Sequence, residues 1–156
     1  MSAATARPPP SSWPSPTRSR TPAFVTAFYG VYNPKTRVLS FSNAGHPPPR
    51  IVRGQRILQL ETARGLPLGV EESEHYTDAR MQLEPDDFLL LYTDGISEAF
   101  NMSSQLFGFA RLDQSLTAKH KTARSVIDNV LNSVNAFAQG RPPADDQTML
   151  AMHVLP

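Results

Sequence analysis

The run Phe88-Leu-Leu-Leu-Tyr92, entered from the turn residues Glu84-Pro85-Asp86 and left through Thr93-Asp94-Gly95, constrains the fold more than any other segment. It reads as a strand. Successive side chains of a strand point to opposite faces, so four apolar residues in a row put apolar groups on both faces and imply a buried, central position. A chain built around such a strand has to supply layers on either side of it.

The rest of the sequence supplies candidates for those layers. Phe24-Val-Thr-Ala-Phe-Tyr-Gly-Val-Tyr32 is aromatic and β-branched, Asn33-Pro34-Lys35-Thr36 offers turn residues, and Arg37-Val-Leu-Ser-Phe-Ser-Asn43 is a second strand-like run, which together predict a hairpin. Both faces of its first strand are apolar, so covering on both sides is expected. Shorter strands are predicted near 49–53 and 56–61, followed by the loop Leu66-Pro-Leu-Gly69. In 75–83 Thr77, Ala79, Met81 and Leu83 alternate with polar neighbours, the pattern of a half-exposed strand. The last third is helical: Phe109, Leu112 and Leu116 recur at spacings of three and four, and Val126, Ile127, Val130, Leu131, Val134, Phe137 and Ala138 form one apolar face, with Thr122 as N-cap and Gly140 as the stop. Gln147–Leu155 closes the chain as a strand apolar on both faces. Hairpins, then helices, then a returning strand predict an α+β fold with a mostly antiparallel sheet.

Composition narrows the function classes. The 156 residues are 40% hydrophobic, sufficient for one domain core. Of 15 basic residues, Arg7, Arg18 and Arg20 precede Pro22, which leaves 12 against 14 acidic residues in the remainder and no clustered basic face for nucleic acid. The absence of cysteine excludes disulfides, zinc–thiolate sites and a cysteine nucleophile, so any metal here takes oxygen or imidazole ligands. No apolar run approaches the ~18 residues of a membrane span, and no signal-peptide core is present, which makes the cytoplasm the default expectation. Residues 1–22 hold 6 of the 15 prolines and one large apolar residue, Trp13, and are expected to be a disordered tail. That tail reads either as a proline-rich ligand for an aromatic groove or as a plain flexible or out-of-frame segment.

Two acidic motifs stand where chemistry is expected. Asp94-Gly95 follows a buried strand, and strand ends that open into loops are common positions for reactive groups, although Asp-Gly is also an ordinary turn. Asp145-Asp146 sits between a helix–proline break and a buried strand. Adjacent carboxylates repel one another, and a divalent cation relieves that repulsion, while a solvated turn is the plainer reading. Both motifs lie at the ends of apolar strands, so Asp94 and Asp145 could meet at one edge of a shared sheet around a hard cation such as Mg²⁺ or Mn²⁺.

Phe24-Val-Thr-Ala-Phe-Tyr-Gly-Val, Asn43-Ala-Gly-His-Pro-Pro, Leu66-Pro-Leu-Gly69, Leu90-Leu-Tyr-Thr-Asp-Gly-Ile-Ser-Glu-Ala99 and Asp145-Asp-Gln-Thr148 resemble, in order, successive motifs of the SpoIIE/RsbU branch of metal-dependent serine/threonine protein phosphatases. The resemblance covers about Phe24 to Leu155. It implies a β-sandwich of two antiparallel sheets flanked by helices, in α-β-β-α layers, with a dinuclear Mn²⁺ or Mg²⁺ centre that activates a hydroxide to attack a phosphoserine or phosphothreonine. Asp94 and Asp145 match metal-ligating aspartates, Asp146 takes a supporting position, and Gly45, Gly69 and Gly95 are the motif glycines. His46 and Glu98 match the neighbourhood of a weaker third cation. His46 reads equally as a residue that fixes its turn through a ring hydrogen bond, and Glu98 as one that favours the first turn of a short helix. The implied substrate is a phosphorylated regulatory protein such as an anti-sigma-factor antagonist.

The sequence departs from the family in one respect. Relatives place a Gly-Gly-Asp segment, a further aspartate and an Asp-Val-x-Gly-His-Gly-like stretch well upstream of the hairpin, and no such motifs precede Phe24 here. The expectation is therefore that 23–156 is the C-terminal portion of a phosphatase domain whose N-terminal part is missing, with weak metal binding, little activity alone and self-association through exposed sheet edges. A non-catalytic protein-binding module of a phospho-signalling pathway is the alternative, and a purely structural β-rich domain without metal the third reading.

Overall fold

Asn33 starts the first turn by accepting the N–H groups of Lys35 and Thr36 on its side-chain oxygen, at 3.0 and 3.3 Å, and so folds the predicted hairpin back on itself. In the computed structural model, which describes residues 23–156, the elements follow as β1 (Ala27–Asn33), β2 (Val38–Ala44), β3 (Arg50–Arg53), β4 (Arg56–Gln59), β5 (Arg64–Gly65), β6 (Ala79–Gln82), β7 (Phe88–Tyr92), α1 (Asp94–Ser97), α2 (Gly108–Ser115), α3 (Ala123–Ala138) and β8 (Met149–His153). The tail expected at 1–22 lies outside the described residues.

The strands form two sheets. In the first, β1 pairs antiparallel with β2 in the register Tyr29↔Ser42, and β2 also pairs antiparallel with β6 and, over two residues, parallel with β5. The second runs β4-β3-β7-β8, antiparallel throughout. The apolar run Phe88–Tyr92 is thus β7, an interior strand of its sheet.

Its alternation divides the core in two. Phe88, Leu90 and Tyr92 join Val52 in a cluster with Leu112 and Leu116 of the α2 region and Val126, Val130 and Val134 of α3. Leu89, one residue out of phase, joins Ile51, Leu39, Phe41 and Val154 in a cluster between the sheets. The described residues therefore stack as sheet, sheet and helices, an α+β sandwich of mostly antiparallel sheets. Each cluster removes large apolar side chains from water, worth roughly 1.5–3 kcal/mol apiece.

Helix α3 begins at a reciprocal cap: the Ser125 N–H donates to Thr122 Oγ1 at 3.1 Å, and the Thr122 N–H donates to Ser125 Oγ at 3.3 Å. It buries Val126, Val130, Val134 and Ala138, a four-residue spacing, against β7 and β8. It ends at Ala138, two residues before the predicted glycine, with the C-cap Gln139 in the left-handed conformation at φ 53°. No helix of the described residues is long and apolar enough to cross a membrane.

Three expectations are corrected. The first strand is not covered on both faces: Phe28 and Tyr32 pack inward, with Phe28 stacked on Phe41 at 5.6 Å, while Tyr29 and Val31 are 70% and 53% exposed. Strand β1 lies at a sheet edge, and among the described residues no helix covers that sheet's outer face. In β8, Leu150 shares the face of Met152 yet is largely exposed, because β8 is also an edge strand. Phe109 is not a core residue but lies half out of the fold, its ring 5.2 Å from the Arg50 guanidinium.

Candidate metal centre

Antiparallel pairing of Tyr92 with Met149 places the residues that leave β7 beside those that enter β8. Asp94 follows β7, and Asp145 and Asp146 precede β8, so register alone brings the two acidic motifs to one sheet edge. Side chains then stitch the loops together. The Thr93 hydroxyl donates to the Asp146 carbonyl at 2.8 Å and accepts the Thr148 N–H at 3.0 Å, while the Thr93 N–H donates to the Thr148 carbonyl at 3.0 Å. From the other side Gln147 Nε2 donates to the Gly95 carbonyl at 3.0 Å. A Cβ at Gly95 would stand 2.5 Å from the Asp146 carbonyl oxygen, so only glycine permits this approach.

The carboxylates themselves are lightly engaged. Asp94 Oδ1 accepts the Gly95 N–H at 3.1 Å and Asp145 Oδ1 accepts the Asp146 N–H at 2.7 Å. Among the described residues no lysine or arginine pairs with Asp94, Asp145 or Asp146, and all three are exposed. Like charges held in adjacent loops without a basic partner attract a cation.

His46 comes to the same end of the molecule. Its backbone is held on both sides by the buried Asn43, whose side-chain oxygen accepts the His46 N–H at 2.8 Å and whose Nδ2 donates to the His46 carbonyl at 2.9 Å. Its Nδ1 lies 3.2 Å from Thr26 Oγ1. Burial lowers the His46 pKa below the usual 6.5, and the nearby Asp94 charge and Tyr92 backbone oppose that shift. The preceding Gly45, at φ 71°, has the ring of Pro67 where a Cβ would be, and Gly69 is approached by the Ala23 carbonyl oxygen.

Behind this loop, Arg50 is almost wholly buried. Its Nη1 donates to the Pro48 carbonyl at 2.7 Å, its Nε donates to Asp113 Oδ1 at 2.7 Å, and the Tyr92 hydroxyl donates to the same Pro48 carbonyl at 3.3 Å. Burial pushes the Tyr92 pKa up to about 12. The His46 loop is thereby tied to the end of β7 and to α2.

Glu98 stands apart. Its N–H donates to the Asp94 carbonyl at 2.7 Å, but its side chain is exposed and takes no partner among the described residues. The plain reading that it favours the first turn of a short helix is corrected, because α1 begins at Asp94 and Glu98 is its C-cap.

Whether these residues suit a two-metal centre turns on their number. Asp94 and Asp145 offer hard oxygen donors, the right chemistry for Mg²⁺ or Mn²⁺, with Asp146 beside them. Yet no group of three His, Cys, Asp or Glu side chains among the described residues is placed to hold one ion. The donor set agrees with such a cation in kind and falls short in number. Sequence alone assigns no role to Thr93, Gln147, Asn43 or Arg50. The first three lie within or beside the motifs, and that position was the only signal for them.

Comparison with known proteins bears on this arrangement. The family model described as Stage II sporulation protein E (SpoIIE) matches residues 15–155. Protein IcfG of Synechocystis is 29% identical over 130 residues, covering 83% of this chain and 20% of that protein. Phosphoserine phosphatase RsbU of Bacillus subtilis is 29% identical over 116 residues, covering 71% of this chain and 33% of that protein. The chain thus spans a third or less of the length of these curated relatives. The phosphatase domain of the cell-fate determinant SpoIIE from Bacillus subtilis, from a manganese-presoaked crystal, superposes with a TM-score of 0.68 at 16% identity, over 89% of this chain and 61% of that one. The family model covers most of the chain and the sandwich agrees with it, and the chain belongs to the SpoIIE family of phosphatase domains.

Proposed function

We propose that this chain contributes to metal-dependent dephosphorylation of phosphoserine or phosphothreonine in a regulatory protein. The observation that carries the reading is the stitching of the Asp94 and Asp145-Asp146 loops by Thr93 and Gln147, which holds unpaired carboxylates together at one sheet edge. Asp94 and Asp145 would hold Mn²⁺ or Mg²⁺, with Asp146 supporting and His46 and Glu98 candidates for a further ion. The manganese presoak of the related SpoIIE domain supports that choice of cation. When bound, such ions polarise phosphoryl oxygens and activate water.

The residues of this chain orient rather than react. Thr93, Gln147 and Gly95 set the spacing of the two acidic loops, and Asn43 and Arg50 fix the His46 loop beside them. Two carboxylates bind one octahedral cation loosely, so full affinity and turnover require acidic ligands from outside residues 23–156. The likeness to the phosphoserine phosphatase RsbU supports a phosphoserine substrate, and the motif resemblance implies that it is carried on a regulatory protein of the anti-sigma-factor-antagonist type.

The test is an assay of the purified chain on a phosphoserine protein, with and without Mn²⁺ and with Asp94→Asn and Asp145→Asn. Mn²⁺ binding that both substitutions abolish, with turnover far below that of RsbU, is expected. Binding that ignores both substitutions sinks the metal assignment, and turnover equal to RsbU sinks the requirement for outside ligands.

A second reading, a non-catalytic module that binds a protein partner or another copy of itself, is favoured by the exposed apolar residues Val25, Tyr29, Val31, Leu66, Leu68 and Val70 on and around the β1 sheet. Partner capture that survives both aspartate substitutions, with no hydrolysis, would support it.

A further inference from the structure

Strand β7 has a second cluster of polar groups at its other end. Phe88 lies six residues before Asp94, a separation on the order of 20 Å along extended chain. A cleft of about 490 Å³ opens there, between the second sheet and the loop joining α2 to α3. That volume falls within the ~300–1,000 Å³ usual for small-molecule sites. Its floor is apolar, from Val52 and Phe88, and its rim carries Lys119 and Lys121.

Two imidazoles complete the lining. His153 stacks on the Phe88 ring at 4.2 Å and 11°, and His120 meets that ring edge-on at 5.8 Å and 64°. His120 Nε2 lies 3.1 Å from the Leu116 carbonyl, which can only accept, so Nε2 carries the hydrogen and Nδ1 is left over. His120 Nδ1 and His153 Nε2 are buried without a hydrogen-bond partner. The nearest acid to His153 Nε2, Asp86 Oδ1, is 3.5 Å away, an ion-pair contact without hydrogen-bond geometry. Buried polar atoms in native folds nearly always have partners, and these two differ in what they take: His120 Nδ1 holds a lone pair and accepts, whereas His153 Nε2, when it bears the hydrogen, donates to an acceptor such as an anion.

Charge selects the occupant. Among the described residues Lys119 and Lys121 enter no ion pair, and Asp86 is the single acid lining the cleft. The rim is therefore net positive above an apolar floor. The lining has too few acidic and imidazole groups in range of one point to hold a metal, and two lysines are too few for a nucleic-acid backbone.

We propose that this cleft is a second binding site, remote from the acidic loops, that takes a small organic anion with an apolar body. The acid group lies between Lys119 and Lys121, and the body rests against the His120 and His153 rings, which pack on the buried Phe88. The acid is a carboxylate or a phosphate monoester, which share this chemistry. The proposal does not depend on the metal reading.

The experiment uses the full chain, metal-free and with histidine ring nitrogens labelled, observed by NMR in a chloride buffer. Phenylacetate and phenyl phosphate are titrated separately, with benzylamine as the cationic counterpart of the same shape. Saturable shifts of the His120 and His153 signals with either anion, and none with benzylamine, are expected; whichever anion binds tighter names the acid. Lys119→Gln with Lys121→Gln should weaken binding at least tenfold, and because both lysines are exposed the fold is retained. Asp94→Asn with Asp145→Asn should leave binding unchanged. Shifts confined to His46 or His75, equal response to benzylamine, or affinity indifferent to the lysine substitutions would each overturn the proposal.

Discussion

The two sheets of this molecule share one interface and differ in everything outside it. The β4-β3-β7-β8 sheet has apolar side chains on both faces and finds a partner for each: the other sheet on one side, α2 and α3 on the other. The β1-β2-β5/β6 sheet uses its inner face in the same way, but its outer face carries Tyr29 and Val31 into solvent. The apolar patterns of β1 and β7 look alike in sequence. What separates them is the supply of a third layer, and the difference places the buried core of the described residues around one sheet and their exposed apolar surface on the other.

This contrast can be broken most severely at Leu90, which is wholly buried between β7 and the helices. Leu90→Ala should cost about 3 kcal/mol in denaturant unfolding, and a loss under about 1 kcal/mol would mean the helical layer is loosely packed. Next in size is Thr93→Val, which removes the hydroxyl bridging the two acidic loops and should cost about 1–2 kcal/mol. It should also reduce any Mn²⁺-induced rise in Tm, and an unchanged metal response would show that the stitch does not set carboxylate spacing. Thr122→Ala removes the α3 cap and should cost about 1 kcal/mol; an unaltered melting temperature would show that α3 is held by its apolar face alone. The smallest effect on stability is expected for Tyr29→Ser with Val31→Ser, within about 0.5 kcal/mol each, as for exposed positions. Sedimentation velocity should nonetheless show less self-association for that double variant. A loss of several kcal/mol would reveal a covered face.

Much of this was legible from sequence, for reasons that are local. Phe88–Tyr92, the hairpin turn at Asn33 and the α3 face each encode their structure within a few residues, and all three form where the patterns indicate. Whether an apolar face is covered is not local information, so sequence alone does not tell that the outer face of β1 is exposed or that the Phe109 ring meets Arg50 rather than the core. The candidate site divides along the same line. The acidic motifs stand out by residue type, but the hydrogen bonds from Thr93 and Gln147 exist only once β7 and β8 are paired. The burial of Arg50 likewise depends on Asp113, 63 positions away in the chain.

The missing side chain at Gly95 has one more implication. Because backbone meets backbone there, the gap between the acidic loops is gauged by peptide groups and not by the carboxylates hung upon them. A methyl group at this point would act as a shim, prising the loops apart with every charge still in place, whereas Asp94→Asn would erase charge with the gauge intact. Geometry and electrostatics at this edge are thus two separate dials, each turned by a single substitution.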